Sequence, residues 1–431
     1  MNNTLSSFTE RIKSANPIER GGRVRELVGL SVEASGPPSR VGDLCYIEGK
    51  RAEVVGFKGD RTLLMPYGST DGVGYGAYVR FTGKPLQIGL GDSLIGRVVN
   101  AIGEPFDDSP PIIPEEYRSI EASPPHPMSR DRVTEILPLG VRSIDGLLTV
   151  GVGQRLGIFA GSGVGKSTLL GMMSRYSKSD VNVIVLVGER GREVRDFIER
   201  DLGPEGLKRS VLIIATSDQP ALLRLKCALT GTTIAEYFRD KGLKVLMLMD
   251  SLTRFAMAQR EIGMATGEPP VSRGYPPSVY TLMPKLLERT GNSDKGSITG
   301  LYTVLVEGDD MNEPVADTAR GILDGHIILD RRLAVSNHYP PIDILQSVSR
   351  VMSEIVSRDH YNYAGTIKNL MAVYNQAEDL VNIGAYKAGS NPEIDNAIKL
   401  RPQIQAFLKQ DFRESADFEA TQEKMKKILG H

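Results

Sequence analysis

The residues best suited to chemistry are Ala160-Gly161-Ser162-Gly163-Val164-Gly165-Lys166-Ser167-Thr168, set between an apolar run and the helix-forming Leu169-Leu170-Gly171-Met172-Met173. Glycines at this spacing let successive backbone N–H groups turn inward around an anionic phosphate, and the start of the next helix adds partial positive charge. In such a loop Lys166 reaches the outer phosphates of a nucleoside triphosphate and the Ser167 hydroxyl ligates Mg²⁺. Gly161, Ser162, Gly163, Val164, Gly165, Ser167 and Thr168 are thus phosphate-binding candidates alongside Lys166. Ala160 stands where the strict pattern has glycine, which narrows the backbone conformations open to the loop.

Phosphoryl transfer needs a second group on the metal and something to orient water. Asp250 closes the run Val245-Leu246-Met247-Leu248-Met249, which puts a carboxylate at the C-terminal end of a buried strand, where open parallel sheets bind ligands. The alternative is that Asp250 caps the next helix through Ser251. Glu189 ends another apolar run, Val183–Val187. If that strand lies beside the P-loop strand, its carboxylate polarises the attacking water. Arg190 and Glu193 follow closely enough to reach phosphate and the metal's water shell, although a charged stretch of this kind also suits a solvated helix face.

Strands and helices must hold these groups. The runs Arg155–Ala160, Val183–Val187, Val211–Ala215, Val245–Met249 and Leu301–Val306 alternate with helical patterns, which predicts an α/β domain with a mainly parallel sheet and helices on both faces. Upstream, Val24–Val32, Leu44–Ile47, Glu53–Phe57, Thr62–Met65 and Tyr78–Phe81 predict a small β-barrel of about five strands. Between them, proline-dense segments around residues 104–111 and 123–127 forbid long helices and read as a surface linker. After about Gly365 only helical patterns remain. Leu5, Phe8 and Ile12 have helical spacing ahead of Pro17, so an N-terminal amphipathic helix is expected. The expected divisions are 1–22, 23–93, 94–364 and 365–431.

Length and composition narrow the class. The 431 residues suffice for two or three domains, and 52 basic against 53 acidic side chains leave a formal charge of −1, so no net field favours nucleic acid or an anionic membrane. Cys45 and Cys227 are far apart and the five histidines are scattered, which speaks for a reducing compartment and against structural zinc. No apolar run approaches the length of a membrane span, and a cytoplasmic location is expected. Forty-five glycines against no tryptophan point to many tight turns.

In this order the pieces resemble the catalytic subunits of rotary ATPases and, more closely, the flagellar and type III secretion export ATPases. The resemblance rests on the P-loop, on Gly188-Glu189-Arg190 with Arg192-Glu193, and on Asp250-Ser251-Leu252-Thr253-Arg254-Phe255-Ala256. The export branch is favoured by Gly267-Glu268-Pro269-Pro270, Gly274-Tyr275-Pro276-Pro277, Leu286-Leu287-Glu288-Arg289-Thr290-Gly291 and Glu378-Asp379-Leu380-Val381-Asn382-Ile383-Gly384-Ala385-Tyr386. The last of these stands where a synthase subunit carries an acidic rotor-contacting motif.

The resemblance implies an N-terminal barrel, a RecA-like P-loop domain and a C-terminal helical domain. It further implies Mg²⁺-dependent ATP hydrolysis by a hexameric ring, with Arg350 of Ser347-Val348-Ser349-Arg350 given as an arginine finger to the neighbouring subunit. Tyr339, in His338-Tyr339-Pro340-Pro341, would stack on adenine and Phe412 would close the same pocket. The implied partners are a stator-like regulator at the N-terminal helix, a coiled-coil stalk protein, export chaperone–substrate complexes and a membrane export gate, with no nucleic acid. Two other classes fit a barrel joined to a P-loop domain: a non-catalytic nucleotide-binding subunit, which usually lacks a carboxylate at the Glu189 position, and an RNA-translocating ring.

Overall fold

Short alternating strands separated by glycine turns build a closed barrel. In order along the chain they are β1 (Arg20–Val28), β2 (Ser31–Ser35), β3 (Asp43–Ile47), β4 (Lys50–Lys58), β5 (Arg61–Pro66) and β6 (Tyr78–Pro85). The spatial order is β1-β2-β5-β4-β3-β6, and β1 pairs with β6 to close it. Every second side chain of β3 points inward, and Val24, Val32, Ala34, Cys45, Val54, Leu64, Val79 and Phe81 fill the interior. The sequence expectation counted five strands because Val24–Val32 reads as one apolar run. Gly29, at φ +56°, breaks it into a hairpin, so there are six.

The computed structural model describes residues 20–107, 109–306 and 310–430. The expected helix around Leu5, Phe8 and Ile12 lies outside them. The chain divides into two compact units. One holds the described residues through Gln87 with Glu261–Pro269; the other holds Ile88–Arg260 and the described residues from Pro270 onward.

The second unit is organised by a nine-stranded sheet. Its strands are β8 (Val98–Asn100), β10 (Arg155–Ala160), β11 (Val181–Glu189), β12 (Ser210–Thr216), β13 (Lys244–Asp250), β14 (Gly291–Asn292), β15 (Ser297–Leu305), β16 (Gly325–Leu329) and β17 (Ile342–Ser349). A separate pair joins β7 (Gln87–Leu90) to β9 (Glu116–Ser119). The sheet order is β17-β16-β10-β15-β13-β11-β12-β8, with β14 attached to β15. Pairing is parallel except for β17 on β16 and β14 on β15. Eight consecutive residues of β11 are buried, the pattern of a strand covered on both faces. The five expected strands are present; β8, β14, β16 and β17 are additional. Two to eight residues long, and with exposed positions within β17, they carry too little apolar contrast to stand out in the sequence.

Helices α1 (Arg142–Leu147), α2 (Lys166–Tyr176) and α3 (Ala221–Asp240) belong to the sheet layers. Beyond β17 come α4 (Arg358–Asn382), α5 (Pro392–Leu408) and α6 (Phe418–Leu429), whose first turns are capped by the side chains of Ser357, Asn391 and Asp417. These helices share one core with the sheet unit, in which Ile144, Ile367, Phe407 and Met425 are buried together. The buried His360 ring nitrogen meets the Gly146 carbonyl of α1 at 2.8 Å. No helix among the described residues is long and apolar enough to cross a membrane.

Candidate nucleotide site

Strand β10 runs straight into the glycine loop and the loop into α2. Gly163 and Gly165 have φ of +75° and +93°, a left-handed region that side-chain-bearing residues rarely adopt. A Cβ on Gly163 would meet nothing within 4 Å, so the loop's rim is open, and one on Gly165 would lie 3.5 Å from the Tyr339 ring. This is the strand–loop–helix arrangement that the spacing of residues 160–168 predicts.

The other charged candidates come together on Lys166. Its Nζ lies 2.6 Å from Asp250 Oδ1 and 3.7 Å from Glu189 Oε1, and all three side chains are largely buried. Thr303, on β15, donates its hydroxyl to the same Asp250 oxygen at 2.7 Å. Asp250 therefore faces the P-loop. The following turn is served by the Ser251 hydroxyl, which accepts from the Arg254 N–H at 3.2 Å, so the capping alternative for Asp250 is not what the chain adopts.

The strand of Glu189 does not lie beside the P-loop strand, contrary to the condition set from sequence. Strands β15 and β13 stand between them. Glu189 reaches Lys166 all the same, because all four strands are parallel and end on one edge of the sheet. Gly188, at φ +70°, sits at a register shift just before it.

Electrostatics at this edge are strained. Burial pushes the Glu189 carboxyl above the ordinary carboxylate range, and the Asp250 charge raises it further against the pull of Lys166. For the Lys166 ammonium, burial works to lower the pKa, but Asp250 and then Glu189 outweigh it and the net shift is upward. Glu193 hydrogen-bonds to Glu189 and so adds to the rise. Arg190 instead pairs with Glu193 at 3.5 Å, with its own side chain 79% exposed, and does not join the Lys166 cluster.

Tyr339 and Phe412 converge on one cavity of about 250 Å³ with Gly165, Leu169, Met172 and Pro341. The Gln410 N–H donates to the Tyr339 carbonyl at 2.9 Å. Arg175, on α2, donates to the Phe412 carbonyl at 2.5 Å and ties that segment to the P-loop helix. The cavity's apolar walls and aromatic faces suit a purine base.

Arg350 stands apart. Because β17 is antiparallel, Ser349 pairs with Gly325 at the start of β16, and the guanidinium donates to the carbonyls of Leu323 and Arg320 at 3.1 and 3.4 Å. It is exposed at the sheet edge opposite its own P-loop, the length of β10 away, about 20 Å at the rise of a strand.

Sequence reasoning missed Thr303, and also Arg331, whose guanidinium donates to the Ser162 carbonyl of the loop at 3.3 Å. Thr303 sits inside an apolar run and Arg331 is one arginine of a charged pair, so neither carries a signal without the fold.

Asp250 and Glu189 beside Lys166, Glu193 bonded to Glu189, and the Ser167 hydroxyl next in sequence to Lys166 are hard oxygen donors, the chemistry that Mg²⁺ takes when it keeps water and phosphate as its other ligands. Among the described residues no group of three or more His, Cys, Asp or Glu is gathered closely enough to hold a metal ion by itself.

Comparison with known proteins adds three family matches. Residues 140–349 match the ATP synthase alpha/beta family nucleotide-binding domain, 24–83 the β-barrel domain of that family, and 356–427 the T3SS EscN ATPase C-terminal domain. The flagellum-specific ATP synthase of Bacillus subtilis (strain 168) is 54% identical over 434 residues, covering 99% of each chain. A type 3 secretion system ATPase of Xanthomonas euvesicatoria is 50% identical over 410 residues, covering 94% of this chain and 93% of its own. Among solved structures, the assembled ATPase EscN of enteropathogenic E. coli in complex with its central stalk EscO aligns with a TM-score of 0.90 and 45% identity, over 95% of this chain and all of that one.

Proposed function

From the premise that this chain belongs to the flagellar and type III secretion export ATPase family, an ATP-hydrolysing family, we propose that it is the ATPase of a flagellar export apparatus. The observation that carries the chemistry is Lys166 held between Asp250 and Glu189 at the mouth of the glycine loop. The chemistry that Mg²⁺ would supply here, when bound, is neutralisation of the charge that develops on the outer phosphates. Ser167 and Asp250 are the groups to hold it, with Glu193 at its water shell. Lys166 turns from its carboxylate partners to the outer phosphates. Glu189, its pKa raised by burial, orients the attacking water and accepts its proton. Tyr339 and Phe412 hold the adenine.

Arg350, exposed and on the far edge from its own loop, fits a finger placed in a neighbouring subunit's site, so catalysis depends on a ring, which we take to be hexameric. The test is ATPase rate against protein concentration. A trans finger predicts that specific activity rises steeply as rings assemble; constant specific activity across the dissociation range would remove it.

The regulator at residues 1–22, the coiled-coil stalk, the chaperone–substrate complexes and the membrane export gate are carried over as proposed partners, with the chain working in the cytoplasm at the membrane. The stalk is supported by the EscN–EscO complex. A second reading, service in a virulence injectisome, is favoured by the Xanthomonas relative and by EscN themselves. Restored motility in a strain lacking its flagellar export ATPase supports the first reading; restored effector secretion without motility supports the second.

A further inference from the structure

Strand β10 carries the P-loop at one end, and its other end grips the segment that bears Arg350. Gln154, immediately before β10, is fully buried. Its side-chain oxygen accepts from the Gly151 N–H at 2.9 Å, and its side-chain nitrogen donates to the Asp324 carbonyl at 3.2 Å and to the Ser349 hydroxyl at 3.0 Å. That hydroxyl in turn donates to the Thr149 carbonyl at 2.8 Å. The next residue, Arg155, places its guanidinium on the Asp324 carboxylate through contacts of 3.1 and 3.2 Å, while the Arg350 N–H donates to the Asp324 carbonyl at 3.0 Å. Gly325 keeps the junction tight: a Cβ there would lie 2.4 Å from the Val348 carbonyl oxygen.

A buried amide with both ends engaged has one orientation, and here it is aimed at the residue directly before Arg350. We propose that Gln154 is a positioning residue for Arg350, so that the strand ending in one subunit's P-loop also sets the finger that the same subunit offers to its neighbour. This rests on reading Arg350 as acting in the neighbouring site. It goes further, in that the nucleotide site of one subunit and the segment bearing the finger of the same subunit are tied to opposite ends of one strand, β10, a physical route by which occupancy of one site is felt at the next.

The test is Gln154→Leu in the full-length protein, read four ways: nucleotide affinity by a fluorescent ADP analogue, ring formation by sedimentation, kcat, and activity in mixed rings. Affinity and assembly should stay within about twofold while kcat falls roughly 10²-fold, the loss that a finger displaced by about 1 Å produces. Mixed with Lys166→Ala, which has a dead P-loop and an intact finger, Gln154→Leu should regain activity well above the sum of the two alone, because its own P-loop is sound. A merely structural role would not be rescued in this way.

Arg350→Ala mixed with Lys166→Ala is the reference. If that pair fails to complement, the trans-finger reading itself falls. If it complements and the Gln154→Leu pair does not, or if Gln154→Leu loses nucleotide binding, only the proposal falls. Should Gln154→Leu not fold, Ser349→Ala, which removes the shared hydroxyl and keeps a small residue, goes through the same mixtures with the same outcomes.

Discussion

The two edges of the nine-stranded sheet carry similar kinds of charged residue to opposite ends. At the C-terminal edge Lys166 faces two carboxylates, one of them raised by burial, next to a glycine loop whose rim is open at Gly163. At the N-terminal edge two arginines are each matched by a carboxylate. Arg155 lies on Asp324, and the buried Arg289 lays its guanidinium along Glu236 at 2.9 and 2.6 Å while also donating to the Ile120 carbonyl and the Thr233 hydroxyl. The difference separates paired charges that serve stability from a crowded cluster that fits the proposed role at a triphosphate. Carboxylates with raised pKa beside a charged partner gather at functional sites.

Substitutions at the two edges should therefore fail differently. The largest effect is expected for Arg350→Ala: turnover by assembled rings should fall about 10³-fold or more with nucleotide binding intact, the usual worth of a finger. Equal loss of binding in a titration would deny that role. Next, Glu189→Gln should lower kcat by about 10²–10⁴-fold while leaving ADP affinity unchanged, the span of general-base catalysis. Near wild-type hydrolysis would mean that another group positions the water.

At the opposite edge Arg289→Ala should cost about 3–5 kcal/mol of stability by stranding the buried Glu236, seen as a lower urea midpoint, with little change in kcat for the folded fraction. A stability change below about 1 kcal/mol would erase the contrast between the edges. Tyr339→Ala should raise KM for ATP roughly tenfold with kcat nearly unchanged, since stacking on a base is worth about 1–3 kcal/mol.

The smallest effect separates the two carboxylates. In the proposed role Glu189 must be ionised, so the acid limb of kcat/KM, which reports the free enzyme, should lie above the ordinary carboxylate range and activity should fall as pH drops through it. Glu193→Gln removes one of the influences that raise Glu189, and the limb should move to lower pH. An unmoved limb in rate–pH profiles would place Glu193 outside the site's electrostatics.

Much of the site was legible because it is local. The P-loop's glycines, Lys166 and Ser167 are neighbours in sequence, and their geometry follows from one strand–loop–helix turn. Glu189 and Asp250 were legible as the ends of apolar runs, since a carboxylate closing a buried strand has few other places to go. The order of those strands was not legible: hydrophobic runs record that a strand is buried, not which strand it pairs with. Thr303, Arg331 and Gln154 were missed for the related reason that each is polar by contact rather than by pattern. The barrel's sixth strand was hidden by a run that a single glycine folds back on itself.

By itself, then, the sequence determined the chemical groups available, a glycine loop with its lysine and two carboxylates at strand ends, and the succession of barrel, α/β sheet and helices. The tertiary structure alone decided that β15 and β13 separate the Glu189 strand from the loop while leaving all their ends on one edge. It also decided that Tyr339 and Phe412 meet across one cavity, and that Arg350 is carried to the edge its own loop cannot reach. The physical reason is the direction of pairing. Parallel strands bring distant carboxylates to a common edge, and β17, paired antiparallel to β16, sends its terminal arginine to the other.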